Sequence, residues 1–307
     1  MKKYELTSET KVINGVELHR IKALESFGNI KKGDLGGWIE SEKNLSQDGN
    51  AWVFDNATVY GDATVSGNAT VYGNARVYGN ARVYGDATVY GYATVYGNAY
   101  VGGNAKVRGN AKVYGNAKVY GNARVYGDAT VYGNARVYGD ATVSGDATVY
   151  GNAYVGGNAK VRGNATVYGN ATVYGDAWVG GKATVYGDGR VYGDGRVYGD
   201  ATVYGNATVS GNATVYGNTY VGGDATVYGN ATVSDNADFI VFKNWWSSGR
   251  YFTWTRSNNK WKVGCFYGSG EELIAKAYKD SEKSGREYER VVKYVNDMLK
   301  EDNDNGN

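Results

Sequence analysis

Proline is absent from this 307-residue chain, cysteine and histidine occur once each, and methionine occurs twice. Without proline a collagen triple helix is excluded, since that fold needs glycine at every third residue together with proline. The lone Cys265 excludes a disulfide framework. With His19 far from it in sequence, it also gives no zinc-ligand spacing. No stretch approaches the ~18 consecutive apolar residues that a membrane helix needs. Charge of one sign is lacking too: 33 basic residues face 31 acidic ones, a net of +2. Charge alone therefore gives neither a nucleic-acid-binding patch nor an acidic mimic. The first residues, Met1-Lys2-Lys3-Tyr4, have no apolar segment after the lysines, so a secretory signal is not expected and the cytoplasm is. No membrane association is expected.

What is present is glycine, 47 residues, and tyrosine, 30 residues, arranged in one pattern. From Ala51 to Ala237 the chain repeats every six residues without an insertion, as in GNATVY, GNARVY and GDATVY. Valine holds every sixth position from Val53 to Val233, and alanine stands two residues before it except at Gly189, Gly195 and Thr219. In Ala69-Thr70-Val71-Tyr72, alternation sends Ala and Val to one face and Thr and Tyr to the other. Gly73-Asn74 then turns the corner, because both residue types tolerate positive φ. Each hexad is thus one short side of a coil with a thin Val and Ala interior. The segment 97–111 recurs identically at 151–165, an offset of nine hexads, which divides into coils of three hexads but not of two or four.

This alternation of small and aliphatic residues at six-residue spacing resembles the hexapeptide-repeat, left-handed parallel β-helix family. The resemblance covers about 190 residues and implies three hexads per turn. The expected fold is all-β: a left-handed parallel β-helix of about ten triangular coils, roughly 50 Å long at the usual strand spacing. An N-terminal cap is expected at 1–50, the β-helix at 51–238, a small α+β cap at 239–300 and a disordered tail at 301–307. Segment 33–53 is also similar to bacterial and phage-encoded hexapeptide-repeat proteins labelled acyltransferases, and Val263-Gly-Cys-Phe-Tyr-Gly to their C-terminal module.

At the C-terminal end, Phe239–Phe242, Arg250–Arg256 and Lys260–Phe266 read as three strands, with a turn at Ser257-Asn258-Asn259. Two helices are expected to follow. Ser269 with Glu272, and Ser284 with Glu287, have capping-box spacing, and Tyr288, Val291, Val292, Val295, Met298 and Leu299 form one apolar stripe.

Sorting outward residues by eighteen brings Tyr60, Tyr78, Tyr96, Tyr114, Tyr132, Tyr150, Tyr168, Tyr186 and Tyr204 into one unbroken row. Such a row stabilises stacked strands, or it serves as an amphipathic stripe for self-association or for a protein or sugar partner. The Gly-Gly sites at Gly102, Gly156, Gly180 and Gly222 leave notches beside Tyr100, Tyr154, Trp178 and Tyr220, from packing compensation or as stacking grooves. In the cap, Trp245, Trp246, Trp254 and Trp261 lie among Arg250, Lys262 and other cations, either as core or as a recognition surface. The candidate partner-binding residues are the nine tyrosines with Trp245, Trp246, Arg250, Trp254 and Lys262.

The resemblance implies CoA-dependent acyl transfer, for which the family uses a catalytic histidine and loops thrust from the coils. Here no histidine lies within the repeat and no coil carries an inserted loop. These features favour a non-catalytic β-solenoid scaffold or binding protein with no cofactor and no metal, plausible as a phage or prophage accessory. The expected partners are a second or third copy in a homo-oligomer, or a host or phage protein. An acyltransferase, and a counter-defence inhibitor of a host enzyme, are the alternatives.

Overall fold

A computed structural model describes residues 2–305. The hexads wind into a parallel β-solenoid of about 11 turns. Each two-residue strand pairs with the strand eighteen residues on, as Thr88-Val89 does with Lys106-Val107, so every coil has three sides as expected. Face one holds the strands from Thr58-Val59 to Tyr220-Val221. Face two runs from Trp52-Val53 to Thr232-Val233 and face three from Thr64-Val65 to Thr226-Val227. Faces two and three have 11 and 10 strands, against the ten coils expected. From Ala51 to Val233 every repeat valine and alanine is fully buried in a single column. The corner glycines of the repeat hold φ between +62° and +75°, where a Cβ is strained.

The prism begins earlier than the hexads do. Three strands, β1 (Tyr4–Ile13), β2 (Val16–Ala23) and β3 (Leu35–Ile39), form an antiparallel extension of face one. β3 then pairs in parallel with the first coil, setting Ile39 beside Val59, while Leu45 bridges Val65. A partial coil thus lies inside the expected cap. Its offset is twenty residues rather than eighteen, and Ile39 and Leu45 replace valine as its rungs, so the hexad pattern does not reveal it.

Parallel coils give the prism a chemical polarity. Strand N–H groups donate toward the C-terminal neighbour, as Thr88 N does to Ala105 O at 2.9 Å. The first coil therefore leaves carbonyls free and the last leaves N–H groups free, and buried backbone groups need partners. At the N-terminal end, backbone N–H groups of Trp38, Glu40 and Ser46 reach Ala57, Val59 and Val65. The fully buried Asn44 donates to Gly61 O and Ala63 O, both at 2.9 Å. Lys3, 2% exposed, donates to Ala51 O at 3.0 Å and Gly49 O at 3.3 Å. At the other end side-chain oxygens accept instead. Tyr220 N donates to Asn236 Oδ1, Thr226 N to Thr253 Oγ1, Thr232 N to Ser257 Oγ and Ser234 N to Asp238 Oδ2, at 2.7–2.8 Å.

Burial holds the Lys3 ammonium down at about 8 from its ordinary 10.5, with Asp48 and Glu25 partly opposing the shift. The unfolded chain then binds this proton more tightly, so Lys3 lowers stability below pH 8 and the loss is recovered as pH rises toward 10.5. Guanidinium unfolding is expected to show up to about 2–3 kcal/mol of added stability between pH 8 and 10. Lys3→Met should abolish that rise; an identical rise in the variant would assign it to other groups.

The C-terminal cap is a four-stranded antiparallel sheet, Phe239–Lys243, Tyr251–Thr255, Lys260–Val263 and Phe266–Gly268, followed by α1 (Gly270–Asp280) and α2 (Glu282–Asn305). The expected third strand is really two, because Gly264 takes φ +54° and folds it into a hairpin. The sheet is buried on both sides. Phe239 and Val241 pack on the prism's last coil, whereas Ile240 and Phe242 pack toward the helices with Phe252, Trp254 and Trp261. The Ser269 capping box forms as expected. The second box does not: Ser281 ends α1, and its Oγ accepts from Ser284 N, so α2 starts before Ser284. The tail expected to be disordered from 301 is helical through Asn305, since adding a residue to an existing helix fixes few torsions per hydrogen bond. Asp302 also pairs with Arg256 at 2.9 Å. Gly306 and Asn307 lie outside the described residues. Among the described residues no helix is long and apolar enough to cross a membrane.

Candidate functional site

Function must be sought on the faces and the cap, because the interior is a sealed hydrocarbon column. On face one, the nine predicted tyrosines form a continuous ladder. Successive rings from Tyr60 to Tyr204 stack with centroids 4.7–5.5 Å apart and planes within 13° of parallel. This spacing is the coil rise itself, about 4.8 Å, so each ring covers the face of the next. Tyr60 is buried and the other eight are half-buried. Burial first, and neighbouring ring hydroxyls second, push Tyr96, Tyr114 and Tyr150 above the ordinary tyrosine value. What the ladder offers a partner is ring edges and hydroxyls rather than open ring faces.

The Gly-Gly notches are filled. The ring from the coil before lies over the glycine, Tyr84 over Gly102, Tyr138 over Gly156 and Tyr204 over Gly222, while Trp178 folds across its own Gly180. Packing compensation therefore holds at all four sites: at Gly102, Gly156 and Gly222 a ring with no partner in the next coil moves into the space left there, and at Gly180 the neighbouring indole fills it.

The cap separates the predicted cluster. Trp246 (8% exposed) and Trp254 (0%) belong to the cap core with Trp261, so neither can meet a partner; this corrects the expectation for both. The reason is strand alternation: Phe252 and Trp254 face the helices, and Thr253 faces the prism. Trp245 remains 71% exposed, edge-on to Trp246. Arg250 is exposed at a cleft of about 310 Å³ that also includes Gly264 and Cys265. Lys262 is occupied internally, with its Nζ 4.6 Å from the Tyr228 ring centroid and donating to Gly264 O at 2.7 Å. His19 lies on β2, with Nδ1 3.4 Å from Thr7 O.

A large concavity lies elsewhere, on face three. A groove of about 980 Å³ runs along the prism beside the corner shared with face one. Tyr100 stands in it between two cations, Arg82 and Lys118, each 5.5 Å from the ring centroid. Its rim is an asparagine ladder, in which Asn80 donates to Asn98, Asn98 to Asn116 and Asn116 to Asn134, at 3.1–3.2 Å. Sequence reasoning missed this group. The signal was available in the eighteen-residue sort, had cations and corner asparagines been sorted as the tyrosines were.

A sequence model of the YdcK β-solenoid repeat matches stretches within 51–97, 117–151, 165–181 and 195–223. The uncharacterized acetyltransferase YdcK of Escherichia coli (strain K12) is 35% identical over 63 residues, 18% of this chain. The match spans 19% of that relative's own length. These matches show that the hexad array is of the kind carried by acetyltransferase-labelled β-solenoid proteins.

Proposed function

We propose that this protein is a non-catalytic binding scaffold that self-associates through face one and leaves its other faces and cap for a partner. The observation that carries this reading is the charge-free half of face one. From Thr130 to Tyr204 its outward side chains are only threonine and stacked tyrosine. A flat, repetitive and uncharged array is self-complementary under a two-fold axis, where the same patch serves both subunits. Threonine methyls and tyrosine edges bury apolar area while the hydroxyls keep hydrogen-bonding choices. A phage or prophage accessory role, with a host or phage protein as partner, is supported by the resemblance of segment 33–53 to phage-encoded relatives.

Light scattering should give a homo-oligomer, and Thr166→Arg, which sets a charge in the middle of the array, should convert it to a monomer that keeps the β-solenoid's circular dichroism spectrum. A wild-type monomer across the micromolar range would sink the proposal.

The name of the relative favours a second reading, CoA-dependent acyl transfer. It requires acetyl-CoA to raise the melting temperature through mass action. An unchanged melting curve at saturating acetyl-CoA removes it.

A further inference from the structure

We propose that the groove on face three binds a polyuronate, an acidic polysaccharide chain lying along the prism axis. This surface is separate from the threonine and tyrosine array, so the inference stands whether or not the protein self-associates.

The first observation is the sorting of charge. On the strands of the prism every charged outward side chain is basic, and the acidic residues sit at corners. Two of the three corners interleave aspartate with asparagine: Asp86 and Asp140 on one, Asp128 and Asp146 on the next. The third corner, which borders the groove, is asparagine at every coil from Asn80 to Asn170. Arg82, Lys118 and Arg136 on face three therefore have asparagine at their nearer corner, with Asp86 and Asp140 only at the far one, and none of the three forms an ion pair among the described residues. Asp62, at the groove's end, is taken by Lys43 at 3.0 Å.

The second observation is preorganisation. Tyr100 holds Arg82 and Lys118 one coil to either side of its ring. The two charges are thereby set about 10 Å apart along the axis, twice the coil rise. Arginine bound to a carboxylate gains paired, charge-assisted hydrogen bonds. The asparagine ladder adds a donor per coil, since each amide spends one N–H on the next coil and has a second to offer. The result is a pair of cations two coils apart beside a row of amides that recurs at every coil.

A polyuronate matches that pattern. An extended pyranose chain advances by nearly one coil per sugar, so its hydroxyls recur in step with the amides and every second carboxylate falls beside Arg82 or Lys118. Single-stranded nucleic acid fits less well, because its bases need free aromatic faces to stack on. Here Tyr100 is flanked by a cation on either side, and Tyr84 leans over Gly102 with its ring edge-on to Tyr100. Face two also carries cations, Arg124 and Lys160 among them, but they lie between the two aspartate-bearing corners.

The test is affinity electrophoresis and calorimetry of the full chain with polygalacturonate oligomers, with neutral cello-oligomers and oligo-dT as comparators. Polygalacturonate should bind and the neutral oligomers should not. The double variant Arg82→Ala/Lys118→Ala should weaken binding about tenfold or more, and Arg124→Ala/Lys160→Ala should leave it unchanged. Should the first double variant fold poorly, Asn98→Asp/Asn116→Asp tests the same surface, since aspartate already occurs at equivalent corners; it should also weaken binding. No binding of polygalacturonate, equal loss from the face-two variant, equal binding of neutral oligomers, or tighter binding of oligo-dT would each overturn the assignment.

Discussion

Trp254→Ala is expected to remove about 3–5 kcal/mol from the C-terminal cap, the cost of emptying a large aromatic site in a packed core. Trp254 is fully buried between Ile240 and Trp261 in strand register, and its Nε1 donates to Asn259 Oδ1 at 2.8 Å, which holds the turn of that hairpin. The consequence reaches beyond the cap. The same strand carries Thr253, whose Oγ1 accepts the last coil's Thr226 N–H, and the following turn carries Ser257, which accepts from Thr232 N. Loosening this sheet bares a row of unpaired N–H groups on a parallel edge, and such edges template association. Tryptophan fluorescence should therefore report a cap transition at lower denaturant than the solenoid's, and light scattering should show slow assembly. A single unshifted transition, with no assembly, would mean that the cap does not seal the prism.

Gly145→Ala should cost about 2–4 kcal/mol, from backbone strain together with crowding between coils. Gly145 sits at φ +71°, and a Cβ there would stand 3.0 Å from both N and O of Gly163 in the next coil. Backbone on both sides cannot yield as a side chain would. Gly223 separates the two contributions, since it has φ +62° and nothing within 4 Å of its Cβ position. Gly223→Ala should cost only the strain, about 1–2 kcal/mol. Because stacked repeats are stabilised by nearest neighbours, the central defect should also split the unfolding transition. Equal destabilisation of the two variants by chemical denaturation would show that the contact between coils contributes nothing.

Much of this molecule can be read from its hexads. Val53 to Val233 mark the rungs, the corner glycines mark the turns, and the nine-hexad duplication marks three sides. The tyrosine row is legible too, but the sequence says nothing of whether each ring lies open or covered; that depends on the residue eighteen positions away and on its tilt. The partial coil at Ile39 and Leu45 is hidden by its twenty-residue offset. The burial of Trp246 and Trp254 is hidden because the cap sheet is covered on both sides and so lacks a polar face to betray its orientation.

The sequence by itself determined the prism, for a physical reason: every coil repeats the environment of the one before, so a six-residue rule satisfies every interior contact. Only the tertiary structure decided the ends and the surfaces. There the contacts join residues that share no period, Lys3 with Ala51, Thr253 with Thr226 and Asn44 with Ala63, or they depend on how side chains lean along the axis, as Arg82 and Lys118 do about Tyr100. Backbone groups left open by the last and first coils can be closed by any donor or acceptor that the chain brings back, and which one it brings is settled by folding.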